Sequence, residues 1–319
     1  MIYIDMLGRT GNQMFSYSFA RWLQFSNPRQ MKEKIAFDFT NSQFNSIDSD
    51  IHELNNYVCN SNIIVARREL HPLQRFMLKI FYKGMKSKIL CEKDRANYEK
   101  KYKKLLNIFG IYMCSFNYYK FNPRNIFKNN YVIGWYESAD FFKEISNEIE
   151  KDFLLTGDVM NSLSLDAKTL LNRLEIDSDS VCINVRRGDF YSDANINFCA
   201  VCGKTYYEKA ATKISEKLDA PHFYVFSDDI KWAEDNLNLP SGTEYIDNAN
   251  LGLVPSTQMY IMTKCKNFII SNSTYSWWAQ HLGVLRNGGG IVIAPNKWRN
   301  TDQGTHEAIY EKNWILLDI

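Results

Sequence analysis

Residues Val181 to Phe190 place two adjacent arginines, a glycine and an aspartate (Arg186-Arg187-Gly188-Asp189) directly after an alternating apolar run. A buried strand that carries two guanidiniums to its carboxyl end calls for an anion there, because unpaired positive charge at a sheet edge is costly. In open α/β sheets that end of a strand is where ligands bind. One reading is a phosphate-bearing ligand met by Arg186 or Arg187. The alternative is a structural pair in which Asp189 neutralises one arginine and water solvates the other.

Three more segments carry polar groups at strand ends. Gly8-Arg9-Thr10-Gly11-Asn12-Gln13 joins a short apolar strand to a helix. Its glycines let a ligand approach the backbone, and the helix start offers free N–H groups. Asn12 and Gln13 add amides suited to sugar hydroxyls. The turn lacks the G-x-G-x-x-G spacing of dinucleotide sites. Phe226-Ser227-Asp228-Asp229 ends a second strand, where a carboxylate could accept from the paired N–H donors of a guanine edge, or Ser227 or Asp228 could cap the next helix. Ser271-Asn272-Ser273-Thr274 turns a third strand into a helix and reads as a phosphate cradle without lysine. A helix cap needs only one such residue. Trp277 and Trp278 read as packing residues.

Other chemistries find less support. The five histidines form no evident triad with Ser or Cys. Cys199 and Cys202 make a lone C-x-x-C with no second pair, which reads as two half-buried thiols. Asp177-Ser178-Asp179 resembles a divalent-metal motif, yet it precedes its strand and so lies at the edge opposite Arg186. No metal site is expected.

These segments need parallel strands to position them. Strands are expected at 1–7, 34–39, 131–135, 181–186, 222–227, 242–246, 267–271 and 290–294. Helices are expected at 12–25, 141–153, 204–218, 229–236, 255–265 and 274–285. Strand and helix alternation of this kind gives parallel sheets covered on both faces. The stretch 40–130 is poorly periodic and reads as helices mixed with irregular loops. With 319 residues and 45% apolar content the chain is long enough for two domains. They are expected at 1–157 and 158–319, facing each other across a ligand cleft.

A formal charge of +2 excludes a general polyanion binder, and no nucleic-acid partner is expected. The charge is unevenly placed: residues 67–104 carry 13 Lys/Arg against 4 Asp/Glu, interleaved with Phe76, Met77, Leu78, Ile80, Phe81 and Tyr82. That stretch is either a solvated helix face or a surface for an anionic membrane or acceptor. Seven scattered cysteines fit a reducing compartment. No secretory signal opens the chain and no apolar run is long enough to span a bilayer, so a cytoplasmic protein, peripheral at most, is expected.

Taken together, the segments resemble the α-1,2-fucosyltransferases of glycosyltransferase family 11. The resemblance rests on Gly8 to Phe15, Gly134-Trp135-Tyr136-Glu137-Ser138, Val185 to Asp189, Phe226 to Asp229, Ser271 to Trp278, and Ile293-Ala294-Pro295 with Trp298. It leaves about 40–130 uncovered. It implies an α/β, GT-B-like fold of two Rossmann-like domains, a C-terminal domain that binds the GDP-sugar, and an N-terminal acceptor side. The implied reaction moves L-fucose, with inversion, from GDP-β-L-fucose to the 2-hydroxyl of a terminal galactose in surface polysaccharide assembly. It needs no cofactor, and its partners are the GDP-sugar and an oligosaccharide or glycolipid acceptor.

On that resemblance Arg186 contacts the departing β-phosphate, while Arg187 and Asp189 hold the loop. Asp228 lies near guanine, and Ser271, Asn272, Ser273 and Thr274 lie at the diphosphate. Gly8, Arg9, Gly11 and Gln13 join the donor site, and Asn12 faces the fucose and the acceptor. Asp193 is the candidate base and Glu137 a weaker one; a dissociative route, with phosphate taking the proton, needs neither. Two positions depart from the family pattern. Asn184 replaces a usual histidine and cannot titrate near neutrality, and Gln258 replaces a usual acid. These departures leave room for another GDP-sugar or acceptor hydroxyl, or for a protein that binds a nucleotide sugar or glycan without catalysis.

Overall fold

Among the described residues of the computed structural model every strand pairs in parallel, and the strands fall into two sheets. The structure describes residues 1–39, 49–61, 63–65, 69–88, 91–300, 304 and 306–319. One unit comprises Met1–Phe153 with Gln303–Glu311, and the other Leu154–Asp302 with Lys312–Ile319. The boundary expected at 157/158 lies just beyond this division, where Thr156 caps the helix Gly157–Ser162. The return of Gln303–Glu311 to the first unit carries no signal in the sequence.

The first unit contains β1 (Ile2–Asp5), β2 (Ile35–Asp38), β3 (Ile63–Val65), β4 (Ile111–Cys114) and β5 (Asn130–Gly134). Their spatial order is β3-β2-β1-β5-β4. The helix Thr10–Ser26 follows β1 and buries Met14, Phe15, Phe19 and Leu23. The stretch 40–130 holds two 17-residue helices, Pro72–Lys88 and Glu92–Ile108, as well as β3 and β4. Leu78, Phe81 and Leu106 from these helices join Tyr3, Ile111, Met113 and Tyr131 in one core. The helix expected at 141–153 is broken. Ser138 caps the 3-10 turn Ala139–Phe141, Phe142 leaves helical geometry, and a second 3-10 turn, Lys143–Ile145, leads into an α-helix over Ser146–Asp152.

The second unit contains β6 (Ser180–Val185), β7 (His222–Ser227), β8 (Glu244–Ile246), β9 (Asn267–Ile269), β10 (Val292–Pro295) and β11 (Ile315–Leu317). The order β11-β10-β9-β6-β7-β8 is the doubly wound arrangement, with its reversal between β6 and β9. Strand β6 is buried throughout, and Val181, Ile183 and Val185 pack on Tyr207, Ala210 and Ile214 of the helix Lys204–Ser215. Both units therefore have the parallel α/β build that the GT-B-like reading expects. The Asp177-Ser178-Asp179 turn closes on itself at the far edge. Asp177 accepts from the Asp179 N–H at 3.1 Å and the Tyr224 hydroxyl at 3.0 Å.

Candidate active site

The reversal between β6 and β9 puts the arginine loop and the Ser271–Thr274 turn side by side at the carboxyl edge of the second sheet. Asn184, near the end of β6, is buried there. Its amide reaches the Phe226 carbonyl at 3.5 Å, and its Oδ1 accepts from the Ser271 hydroxyl at 3.4 Å. This side chain ties three strands together and carries no proton to exchange. Beyond it the chain leaves the sheet as Arg186.

The Arg186 guanidinium lies between two carboxylates. Nη2 donates to Asp189 at 2.5 Å, and Nη1 pairs with Asp228 at 2.8 Å. The other Asp228 oxygen accepts the Arg187 backbone N–H at 2.8 Å. Gly188 makes this possible, since a Cβ there would meet the Asp228 carboxylate at 2.4 Å. Asp228 is spared capping duty because Asp229 caps the helix Ile230–Asn236, accepting from the Trp232 N–H at 3.2 Å. Ser227 in turn accepts from the Asp229 N–H at 2.9 Å.

Arg187 packs between aromatic rings. Its guanidinium is sandwiched 4.0 Å from the Tyr191 ring and 3.6 Å from the Trp232 ring, with Asp229 at 3.8 Å. Its guanidinium meets aromatic faces and is largely buried. Cation–π attraction of this kind holds the loop by its own side chain. Burial pushes the Tyr191 hydroxyl above its ordinary value, and Arg187 pulls the other way. The sequence hint was the spacing of Tyr191, four residues after Arg187; Trp232 gave none.

The loop then turns back on itself. The Asp189 carbonyl accepts from Ser192 Oγ at 2.8 Å and Asn195 Nδ2 at 3.0 Å. Asp193 is exposed in this turn and makes no hydrogen bond or ion pair among the described residues. Nearby Cys199 is half-buried, and burial raises its thiol above the ordinary value against the pull of Arg299 and Arg186. Cys202 is buried and pushed up to about 12.

The polar turn after β9 divides its labour. Ser271 is buried between Asn184 and Ser276, and Asn272 donates to the carbonyls of Cys199 at 2.9 Å and Trp298 at 2.8 Å. Ser273 caps the helix Thr274–Asn287 through the Tyr275 N–H at 3.3 Å. Thr274 is half-exposed at the helix start, and its hydroxyl has no hydrogen bond among the described residues. Trp277 and Trp278 are fully buried. Gln258 belongs to the same rim: it donates to Asn248 at 2.7 Å and accepts from the Tyr275 hydroxyl at 2.8 Å. Asn248 reaches the Ser227 carbonyl at 3.3 Å, so one relay links β7 to the helix start.

The first unit has its own reversal, between β1 and β5, and the glycine turn sits there. Gly8 has φ +67, and a Cβ on it would meet Asn12 Nδ2 at 2.3 Å. Gln13 donates to the Gly8 carbonyl at 3.1 Å. Asn12 Oδ1 and Gln13 Oε1 are buried acceptors with no hydrogen-bond partner among the described residues, which suits a hydroxylated ligand. Arg9 and Gly11 lie in the same turn, beside the first residues of the helix. Glu137 follows β5, where its carboxylate faces the buried His306 ring at 3.7 Å; Glu92 lies 3.5 Å from the other ring nitrogen. His306 escaped the sequence reading because its partners are remote in the chain.

A sequence model for "Glycosyl transferase family 11" matches residues 1–318. The chain belongs to that family. Among its relatives is the "O-antigen biosynthesis glycosyltransferase WbnK" of Escherichia coli, 29% identical and covering 93% of this chain and 94% of that one. An E. coli "Alpha-1,2-colitosyltransferase" is 23% identical over 100% of this chain and 99% of its own. A "Galactoside alpha-(1,2)-fucosyltransferase 2" of Rattus norvegicus is 23% identical over 93% of this chain and 70% of its own. Solved structures with a likeness include the fucosyltransferase NodZ from Bradyrhizobium, 10% identical, covering 87% of this chain and 91% of that one with a TM-score of 0.47. The family 11 glycosyltransferase framework thus carries Asn184 and Gln258 as hydrogen-bonded members of the rim.

Proposed function

We propose that this chain transfers L-fucose from GDP-β-L-fucose to the 2-hydroxyl of a terminal galactose, on an oligosaccharide or glycolipid of a surface polysaccharide. The observation that carries the reading is Arg186, set at the carboxyl edge of the switch-point strand and oriented by Asp189 and Asp228. A guanidinium has five N–H donors, and two are engaged here, leaving three for an anion. Fixed positive charge at a developing oxyanion is a large catalytic term, because no reorganisation is needed when the charge appears.

In the proposed step the bond between fucose C1 and the β-phosphate oxygen breaks, and GDP leaves with the electron pair. The galactose O2 bonds to C1 from the opposite face. Its proton passes to Asp193, or to the departing phosphate if the step is dissociative. Thr274 and the helix start behind it favour the diphosphate, while the unfilled acceptors on Asn12 and Gln13 suit sugar hydroxyls. Arg186 supplies the charge neutralisation, so the reaction requires no metal.

The test is incubation with GDP-fucose and a panel of β-galactosides, with linkage read by NMR. We expect an α-1,2 product whose yield is unchanged by chelator and falls on the order of 10²- to 10³-fold in Arg186→Ala. A product linked elsewhere, or more than a tenth of the turnover left in Arg186→Ala, would overturn the reading. A different donor on the same framework is the second reading, favoured by the full-length match to a colitosyltransferase and by Gln258. It gains if fucose is refused while another GDP-sugar is transferred. Binding of GDP with no sugar released from any donor would leave a binding protein.

A further inference from the structure

The helix Pro72–Lys88 is locked in rotation by its inner face. Gln74 donates to the carbonyls of Phe109 at 2.7 Å and Asn129 at 2.8 Å, and Leu78 and Phe81 are buried in the first unit's core. Held that way, the helix leaves Leu73, Phe76 and Ile80 outward, with exposures of 50, 58 and 51%. Spacing of three and four residues sets these side chains in one line. The side chains of Arg75, Lys79 and Lys83 are exposed in a line of their own that flanks the apolar one, and none of them makes an ion pair or hydrogen bond among the described residues. The helix contains Arg75, Lys79, Lys83, Lys86 and Lys88 and no acidic residue.

A helix face that combines bare apolar side chains with unopposed positive charge has a narrow set of suitable covers. A second copy of this chain would bring the same positive charge against itself. Water alone leaves three large apolar groups exposed together. An anionic bilayer supplies acyl chain for the apolar line and phosphate charge for the bases at once. We infer that this face docks the first unit on an anionic lipid bilayer, with the helix lying in the interface plane. No helix among the described residues is long and apolar enough to cross a membrane. Docking goes beyond the proposed transfer reaction and does not depend on which sugar is moved.

The experiment is co-sedimentation of the full chain with two kinds of vesicle, one of phosphatidylcholine alone and one containing phosphatidylglycerol. We expect binding to the second that exceeds the first by about tenfold or more and weakens as salt is raised. Phe76→Ser with Ile80→Ser, and separately Lys79→Glu with Lys83→Glu, should each cut that binding by about tenfold. GDP affinity and circular dichroism of the variants serve as checks on folding, since all four positions are exposed. Equal binding to both vesicles, no binding, or binding unchanged by both variants overturns the inference. So does a concentration-dependent dimer in sedimentation velocity that the Phe76/Ile80 variant abolishes in the absence of lipid. A transfer assay on a soluble galactoside is read separately, so loss of docking and loss of the proposed reaction are distinguishable.

Discussion

At the residue scale, the arginine loop depends on a side chain that is absent. Gly188 leaves room for the Asp228 carboxylate to reach both Arg186 and the Arg187 backbone. Gly188→Ala forces that carboxylate aside and frees Arg186 from one of its two guides. Misplacement by about 1 Å costs up to roughly 10²-fold in rate, so we expect a fall in kcat of that order with the melting temperature little changed. Steady-state kinetics and calorimetry on the same preparation check this, and full activity would contradict it. Arg186, Gly188 and Asp189 were legible in the sequence because an apolar run that ends in charge marks the edge of a sheet. The aromatic sandwich on Arg187 was not, since Trp232 lies on another helix and only folding brings it there. The division of labour within Ser271–Thr274 was hidden too: four similar residues in a row do not reveal which hydroxyls turn inward.

At the element scale, the position of the polar turn after β9 depends on a helix behind it. The Tyr206 hydroxyl, on the helix Lys204–Ser215, donates to the Ile270 carbonyl at 2.6 Å and approaches that of Ile293 at 3.3 Å. The Ile293 carbonyl keeps the Ile270 N–H at 2.9 Å, so Tyr206→Phe strands the buried Ile270 carbonyl. We expect a loss of about 1–3 kcal/mol in stability, read by denaturant unfolding, together with weaker GDP binding because the Ser271–Thr274 turn loosens. Unchanged stability would show that the bond contributes nothing. Strands β6, β7, β9 and β10 were legible because each is a largely buried apolar run followed by a polar turn. Strands β3 and β4 were missed because they lie within the poorly periodic stretch 40–130, and β11 because it is a sheet-edge strand whose residues are only partly buried. The helix Pro72–Lys88 was obscured by the bases and apolar residues on its outer face, which blur the helical period set by Leu78 and Phe81.

At the scale of the whole molecule, burial of thiols and phenols sets the alkaline limit. Desolvation raises Cys114, Cys182, Tyr17, Tyr119, Tyr136 and Tyr207 well above their ordinary values, and Tyr112 to about 12. In the unfolded chain these groups ionise at their ordinary values, 9.0 for Cys and 10.0 for Tyr. A folded pKa raised above the unfolded one gives stability that is complete below the unfolded pKa and is lost as pH rises beyond it. The melting temperature should therefore lose its contribution from these groups progressively above about pH 9. Differential scanning calorimetry across that range tests it. A melting temperature that rises with pH there would contradict the burial of these groups.

The chain passes between its two units three times, since Gln303–Glu311 belongs with the first and Lys312–Ile319 with the second. His306, buried against Phe116 and facing Glu92 and Glu137, thus reaches its place only after residues 154–302 of the second unit have been synthesised. During translation the first unit waits, one buried ring short, while residues 154–302 emerge. Its final closure is an event that follows the ribosome's passage through residues 154–302, and a single cut after Phe153 would leave the first unit without a piece of itself.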